Sequence, residues 1–145
     1  MAASEKNGDV VKASALPHGK AEHVLIVDDE ESLARILGRL LHSIGYRVTV
    51  KTRSTEALEV FEQDPSQFHL ALVDLHMPAP NGIELAARLH ELRPDMPIYI
   101  MSGFSDALGD ASPEELGIAA ILQKPVTRET LASELRKALD RQSGT

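Results

Sequence analysis

The residues best suited to chemistry in this sequence are three aspartates, a serine and a lysine, each of which follows a short apolar run. They are Asp28 and Asp29, Asp74, Ser102 and Lys124. Three carboxylates brought together would repel one another unless a cation lay between them, and a site of oxygen ligands and water is the kind that Mg²⁺ prefers. With Mg²⁺ fixed by two carboxylates, Asp74 could attack a phosphoryl group while Ser102 and Lys124 hold its oxygens. The residue types therefore indicate phosphoryl transfer.

The apolar runs that precede these residues alternate with amphipathic segments. Runs at residues 24–27, 47–50, 70–73, 98–101 and 118–122 predict five strands. The predicted helices are one with a stripe of Leu33, Ile36, Leu37, Leu40, Leu41 and Ile44, then Ser54–Gln63, one capped by Asn81, a short one opened by Ser112, and a last one starting near Thr127. This alternation predicts an α/β fold, a doubly wound five-stranded parallel sheet with helices on both faces. Such sheets bind ligands beyond the carboxyl ends of their strands, so the chemical residues should meet there.

Composition narrows the class of protein and its partners. The chain has 145 residues, which suits one domain, and no cysteine, which excludes disulfides, thiolate metal sites and a cysteine nucleophile. Its net charge of -7 and isoelectric point near 5.3 disfavour direct binding to nucleic acid. No apolar run approaches the roughly 20 residues that a membrane span needs, and the amino terminus lacks a signal core. We expect a cytoplasmic protein without a membrane partner.

The expected organisation is a tail, one domain and a second tail. Residues 1–21 are small and polar and predict a mobile tail or linker, residues 22–141 the domain, and residues 142–145 a carboxy-terminal tail. An alternative for residues 10–17, which include Val10, Val11 and Leu16, is the last strand of a preceding domain.

Four segments taken in order resemble the response-regulator receiver family of two-component signalling. They are Val27-Asp28-Asp29-Glu30, then residues 74–82 from Asp74 to Gly82, then Met101-Ser102-Gly103, and Lys124-Pro125. Each motif alone is weak, but their order after successive strands makes the set specific. The resemblance covers roughly residues 23–141 and implies a flavodoxin-like sheet of strand order 2-1-3-4-5.

The resemblance implies a role for each residue of the acidic site. Asp74 would be the phosphoacceptor. Asp28 and Asp29 would be the acidic pair that binds Mg²⁺, Asp29 more directly, and the backbone carbonyl of His76 would be a further metal ligand. The implied cofactor is therefore Mg²⁺.

The resemblance also implies a switch. Ser102 would be the hydroxyl that turns toward the phosphate, Lys124 the cation that pairs with it, and Pro125 the residue after a cis peptide bond that directs the lysine. Two positions depart from the family pattern, because Ile121 stands where an aromatic residue is usual and Val126 where Phe is common. These departures bear on signal output rather than on phosphorylation.

The implied function is a signalling switch rather than an enzyme, with autocatalytic phosphotransfer and dephosphorylation. A histidine kinase or histidine phosphotransferase would supply the phosphoryl group from a phosphohistidine, and a downstream protein target would respond. The chain could be a stand-alone regulator or the carboxy-terminal receiver of a hybrid histidine kinase; segments 68–70, 82–86 and 100–104 resemble the latter. The alternative function is a phosphorylation-independent docking module.

Two enzyme classes fit the sequence less well. A phosphatase of the haloacid dehalogenase type also uses a nucleophilic Asp and Mg²⁺, but it requires a second Asp at the position of His76. A dinucleotide-binding enzyme would need a Gly-rich turn after the first strand, where this chain has Asp28 and Asp29.

Overall fold

Strands and helices alternate along the chain in the computed structural model, which describes residues 16–103 and 112–144. The strands are β1 (His23–Val27), β2 (Arg47–Lys51), β3 (Leu70–Asp74), β4 (Ile98–Ser102) and β5 (Ala120–Gln123). The helices are α1 (Glu31–Ser43), α2 (Ser54–Gln63), α3 (Gly82–Leu92), α4 (Pro113–Leu116) and α5 (Arg128–Gly144). A 3₁₀ turn, Pro65–Gln67, leads from α2 toward β3.

The strands form one parallel sheet of order β2-β1-β3-β4-β5. The predicted fold class, a doubly wound five-stranded sheet of flavodoxin-like order 2-1-3-4-5, is therefore confirmed. Since β1 lies between β2 and β3, the chain first runs toward one edge of the sheet and then crosses back past β1. This reversal creates a crevice beyond the carboxyl ends of β1 and β3, where open α/β sheets bind ligands.

Helices cover both faces of the sheet. Alternate residues of the central strands point to opposite sides. Ile26 and Leu72 pack under α1 and α5, whereas Leu25 and Val73 pack under α2 and α3. Burial on both faces explains why the central strands β1, β3 and β4 read as continuous apolar runs, whereas β2 at the edge of the sheet is only partly buried and carries polar residues. Within the described ranges, no helix combines the length and apolar character that a membrane span requires.

The buried side of α1 agrees with the predicted stripe at Leu37, Leu41 and Ile44 but not at Ile36. Ile36 was predicted to face the core but is 57% exposed. The helix instead approaches the sheet through small residues, since Ala34 and Gly38 are buried and a Cβ on Gly38 would lie 3.1 Å from a methyl carbon of Val50. The predicted stripe included only large apolar residues and therefore placed the contact with the sheet too close to Ile36. The closest approach to the sheet is made by small residues, which the stripe left out.

The last strand begins later than predicted. The apolar run starts at Ile118, but β5 starts at Ala120 because the end of α4 uses the preceding residues. Gly117 adopts a left-handed conformation with φ of 72°, and the Ile118 amide donates to the Pro113 carbonyl. This hydrogen-bonding pattern is a common way to terminate a helix. Ile118 is buried as part of that terminus rather than as a strand residue.

The described residues before β1 pack against the domain. The Gly19 amide donates to the Ile44 carbonyl at 2.6 Å, and the Arg136 guanidinium lies 2.7 Å from the Glu22 carboxylate. The predicted tail therefore contributes residues 16–21 to the folded unit, while residues 1–15 lie outside the described part. At the other end, α5 continues to Gly144, so the predicted domain boundary at residue 141 falls inside a helix.

Acidification is expected to destabilise the domain through His23, at the start of β1. Burial lowers the pKa of this ring, helped by the positive charge of Arg47. The ring contacts Phe68 at a centroid distance of 4.6 Å, and its Nε2 lies 2.6 Å from the Thr49 hydroxyl. The unfolded chain binds a proton near the ordinary pKa of about 6.5, whereas the folded chain does so only at lower pH. The free energy of unfolding should therefore fall as pH drops below about 6.5.

Urea unfolding at several pH values between neutrality and mild acid measures this effect. His23→Gln should show a smaller loss of stability on acidification than the native chain. His42→Gln is the control, because His42 is exposed on α1. If both variants lose as much stability on acidification as the native chain does, His23 is not the cause of that loss.

Candidate functional site

The predicted chemical residues lie together at the carboxyl edge of the sheet. Backbone hydrogen bonds continue the strand ladders into this edge: Asp28 N to Lys51 O at 3.1 Å, Leu75 N to Met101 O at 2.9 Å, and Lys124 N to Ser102 O at 2.8 Å. The side chains that follow the strands are therefore held by regular sheet geometry. This is the convergence that the sequence predicts.

Three aspartates form an acidic cluster at the crevice. One carboxylate oxygen from each of Asp28, Asp29 and Asp74 lies within 4.8 Å of the other two. Asp28 is fully buried and Asp74 is 4% exposed, whereas Asp29 is exposed. The Glu30 amide donates to Asp28 Oδ1 at 3.0 Å, which fixes the orientation of the buried carboxylate. An oxygen cluster open to water on one side fits the ligand preference of Mg²⁺.

Lys124 bridges two members of this cluster. Its Nζ lies 3.0 Å from Asp28 Oδ2 and 3.0 Å from Asp74 Oδ1. The lysine follows β5 directly, and the peptide bond between Lys124 and Pro125 is cis, as the resemblance implies. Lys124 thus reaches the aspartates from the end of β5, the strand at the opposite edge of the sheet from β2.

The charges of the cluster are unbalanced. Burial raises the pKa of the Asp74 carboxyl, and the negative charges of Asp28 and Asp29 raise it further, against the hydrogen bond from Lys124. Burial would lower the pKa of Lys124, but its hydrogen bonds to Asp74 and Asp28 outweigh burial and raise it. Three carboxylates face one ammonium group, so the site favours either a proton or a further cation.

The loop after β3 has a defined conformation around His76. Leu75 O accepts hydrogen bonds from Met77 N at 3.3 Å and Gly82 N at 3.1 Å. A Cβ on Gly82 would lie 2.3 Å from the Asp74 carbonyl, so only glycine permits α3 to start against the end of β3. Asn81 caps α3 through a reciprocal capping box with Glu84, which confirms the cap predicted from the sequence. His76 itself is exposed.

The predicted switch residues lie on neighbouring strands. Ser102 is the last residue of β4 and is fully buried, and Ile121 pairs with Ile100 on the adjacent strand. Ile121 is half-buried against the core face that α2 and α3 cover. Pro125 is exposed, whereas Val126 packs partly against the opposite core face. Residues 104–111, including Phe104, lie outside the described part.

Ser54 is a residue of this edge that the sequence analysis missed. It is the first residue of α2 and is 6% exposed. Its hydroxyl donates to the Pro80 carbonyl at 2.7 Å, which links α2 to the loop after β3. Ser54 follows β2 closely, so the rule that places sites at the carboxyl ends of strands could have included it.

Comparison with known proteins identifies the family. Residues 24–136 match the response regulator receiver domain. The receiver protein CpdR of Brucella abortus is 32% identical over 118 residues, which are 81% of this chain and 97% of CpdR. The chain belongs to the response regulator receiver family. Two further relatives are longer, and the chain spans 53% and 27% of them.

Solved receiver domains share the fold. A receiver domain protein from Methanospirillum hungatei is 30% identical with a TM-score of 0.73, and the match covers 85% of this chain and 97% of that one. A receiver domain protein from Clostridium thermocellum is 25% identical with a TM-score of 0.79, covering 84% and 97%. The fold and the acidic cluster are thus those of a two-component receiver domain.

Proposed function

We propose that this domain accepts a phosphoryl group on Asp74 from a phosphohistidine of a partner, with Mg²⁺ held by Asp28, Asp29, Asp74 and the backbone carbonyl of His76. The observation that carries the proposal is the contact of one ammonium group with two buried carboxylates. Lys124 Nζ lies 3.0 Å from both Asp28 and Asp74 and leaves the third carboxylate, Asp29, facing solvent. The bound metal supplies positive charge for the acidic cluster and for the oxygens of the phosphoryl group.

The chemistry requires Asp74 in its ionised form. A carboxylate oxygen of Asp74 forms a bond to phosphorus while the bond from phosphorus to the histidine nitrogen breaks, and the released imidazole keeps that electron pair. Burial raises the pKa of Asp74, whereas Lys124 opposes this shift and favours the ionised nucleophile. Lys124 is also close enough to donate to an oxygen of the group bound to Asp74. Hydrolysis of the acyl phosphate returns the carboxylate.

The phosphoryl group is proposed to act as a switch through Ser102. Ser102 ends β4 beside Asp74, since Met101 pairs with Asp74 in the sheet register. New charge-assisted hydrogen bonds to the phosphate would shift a pre-existing conformational equilibrium. A histidine kinase or histidine phosphotransferase would be the upstream partner, and another protein would be the downstream target. Both interactions would take place in the cytoplasm, where ATP is available to the kinase.

Incubation with Mg²⁺ and acetyl phosphate, followed by intact mass measurement, tests the proposal. The native chain should gain the mass of one phosphoryl group, because acetyl phosphate replaces phosphohistidine as donor. Excess EDTA should prevent the gain, and Asp74→Ala should show none. No gain on the native chain, or an equal gain on Asp74→Ala, would contradict the assignment.

The second candidate function is a docking module that acts without phosphorylation. Ile121 favours it, because the aromatic residue usual at this position is missing and the coupling of the site to the outer surface then differs. Such a module would show no phosphoryl gain in the same measurement, or a gain with no structural response beyond the loops of the site.

A further inference from the structure

Two segments face each other across a cavity beside the acidic cluster. Residues 52–55, which lead from the end of β2 into the first residues of α2, form one wall, and residues 77–80, in the loop after β3, form the other. The cavity has a volume of about 340 Å³ and also includes Asp29 in its lining. An open space of this size means that the two walls are not packed against each other along their whole length. Direct bonds between them therefore matter for their relative position.

Ser54 makes such a bond. Its hydroxyl lies 2.7 Å from the Pro80 carbonyl and 3.8 Å from the sulfur of Met77. A hydroxyl has one hydrogen to donate, so the shorter contact to the carbonyl is the hydrogen bond and the contact with sulfur is packing. Both Ser54 and Met77 are buried. The β3–α3 loop is thus attached to the start of α2 by a partly buried hydrogen bond.

The same loop carries the peptide group whose carbonyl belongs to His76. The amide of that peptide group, Met77 N–H, donates to Leu75 O at 3.3 Å. The peptide bond is trans, so its carbonyl points away from Leu75 O. The position of Met77 therefore sets the direction of the His76 carbonyl. Since Ser54 contacts Met77 and bonds to Pro80, it restrains this peptide group from the other side of the cavity.

We propose that Ser54 is a positioning residue for the cation site, which holds the β3–α3 loop so that the His76 carbonyl is available together with the aspartates. The inference rests on the proposed function, because it concerns the same Mg²⁺ site. Ser54 itself would not touch the metal. It would act through the loop, because residues that contact metal ligands without binding the metal commonly orient those ligands.

Ser54→Ala should weaken Mg²⁺ binding without changing the chemical step. The loop would still reach the bound arrangement but would lose order in the free protein, so binding would have to restore that order. We expect the Mg²⁺ dissociation constant to rise about tenfold, which is the low end of the loss of metal affinity seen when a residue that orients a metal ligand is removed. Titration calorimetry with Mg²⁺ alone measures this directly. The acetyl phosphate reaction should need more Mg²⁺ for half-maximal rate but reach nearly the native rate at saturation.

A matched control separates positioning from general stability. Ser43 donates to the Leu40 carbonyl at 2.6 Å, the same type of bond at nearly the same length, but at the far end of α1. Ser43→Ala should leave the Mg²⁺ dissociation constant unchanged. Ser54→Cys keeps the shape of the side chain with a weaker donor, so its dissociation constant should fall between those of the native chain and Ser54→Ala.

The outcomes distinguish the inference from the proposed function. If the native chain binds Mg²⁺ and gains a phosphoryl group, but Ser54→Ala and Ser54→Cys bind Mg²⁺ as tightly as Ser43→Ala, the positioning role is wrong. If Ser54→Ala does not fold, Ser54→Cys decides alone, and native affinity in that variant overturns the inference. If the native chain neither binds Mg²⁺ nor gains a phosphoryl group, the proposed function is wrong, and the positioning role, which rests on it, is wrong as well.

Discussion

Lys124→Met will destabilise the domain in the absence of Mg²⁺ and slow its phosphorylation by acetyl phosphate. The ammonium group lies 3.0 Å from two carboxylates that are almost fully buried. Met retains most of the side-chain volume, so the substitution removes charge rather than packing. Asp28 and Asp74 would then face each other without their cation. Breaking a fully buried pair costs 3–5 kcal/mol, and because Lys124 is 18% exposed we expect about 2–3 kcal/mol.

The rate effect of Lys124→Met follows from the same position. Loss of one preorganised donor at a developing charge typically slows a reaction by about 10²- to 10³-fold, and we expect a loss of this order at saturating Mg²⁺. Urea unfolding in EDTA measures stability, and intact mass against time measures the rate. Lys137→Met is the control, since Lys137 is 63% exposed and 3.9 Å from its partner Glu134. Equal behaviour of the two variants would remove Lys124 from the site.

Asp28→Asn will abolish most of the stabilisation that Mg²⁺ gives to the folded domain. A cation that binds the native chain at a concentration of 100 times its dissociation constant should raise the free energy of unfolding by about 2.7 kcal/mol. Asp28 is fully buried beside Asp74, so loss of its charge weakens the attraction for the cation and removes repulsion that raises the pKa of Asp74. The variant should therefore respond little to Mg²⁺.

Thermal unfolding with and without Mg²⁺ tests this prediction. Asp95→Asn is the matched control, because Asp95 is an exposed aspartate paired with Arg93 just before β4, at the opposite edge of the sheet. It should keep the full native response to Mg²⁺. A native-sized response in Asp28→Asn would show that the ion stabilises the domain from some other place.

Much of the fold could be predicted because local signals agree with one another. The apolar runs mark the buried strands, and Asn81 and Ser112 cap helices at the predicted places. Since parallel strands end at one edge, residues after different strands could be assigned to one site. That rule alone brings Asp28, Asp74 and Lys124 together without any knowledge of their contacts.

The features that escaped prediction depend on contacts between distant segments. Ile36 reads as a core residue, yet the helix approaches the sheet through Gly38 and Ala34. Ser54 looks like an ordinary helix start, and its bond to Pro80 joins segments 26 residues apart. Neither the side of closest approach between a helix and the sheet nor a hydrogen bond between distant segments follows from local periodicity alone. Both are set by packing in the folded chain.

The location of the phosphoryl group tests the central claim most directly. Borohydride reduces an acyl phosphate to an alcohol, which marks the acceptor carboxylate in peptide mass spectra after incubation with Mg²⁺ and acetyl phosphate. The mark should fall on Asp74 alone. A mark on Asp28 or Asp29, or an unreduced phosphoryl group on His76, would contradict it.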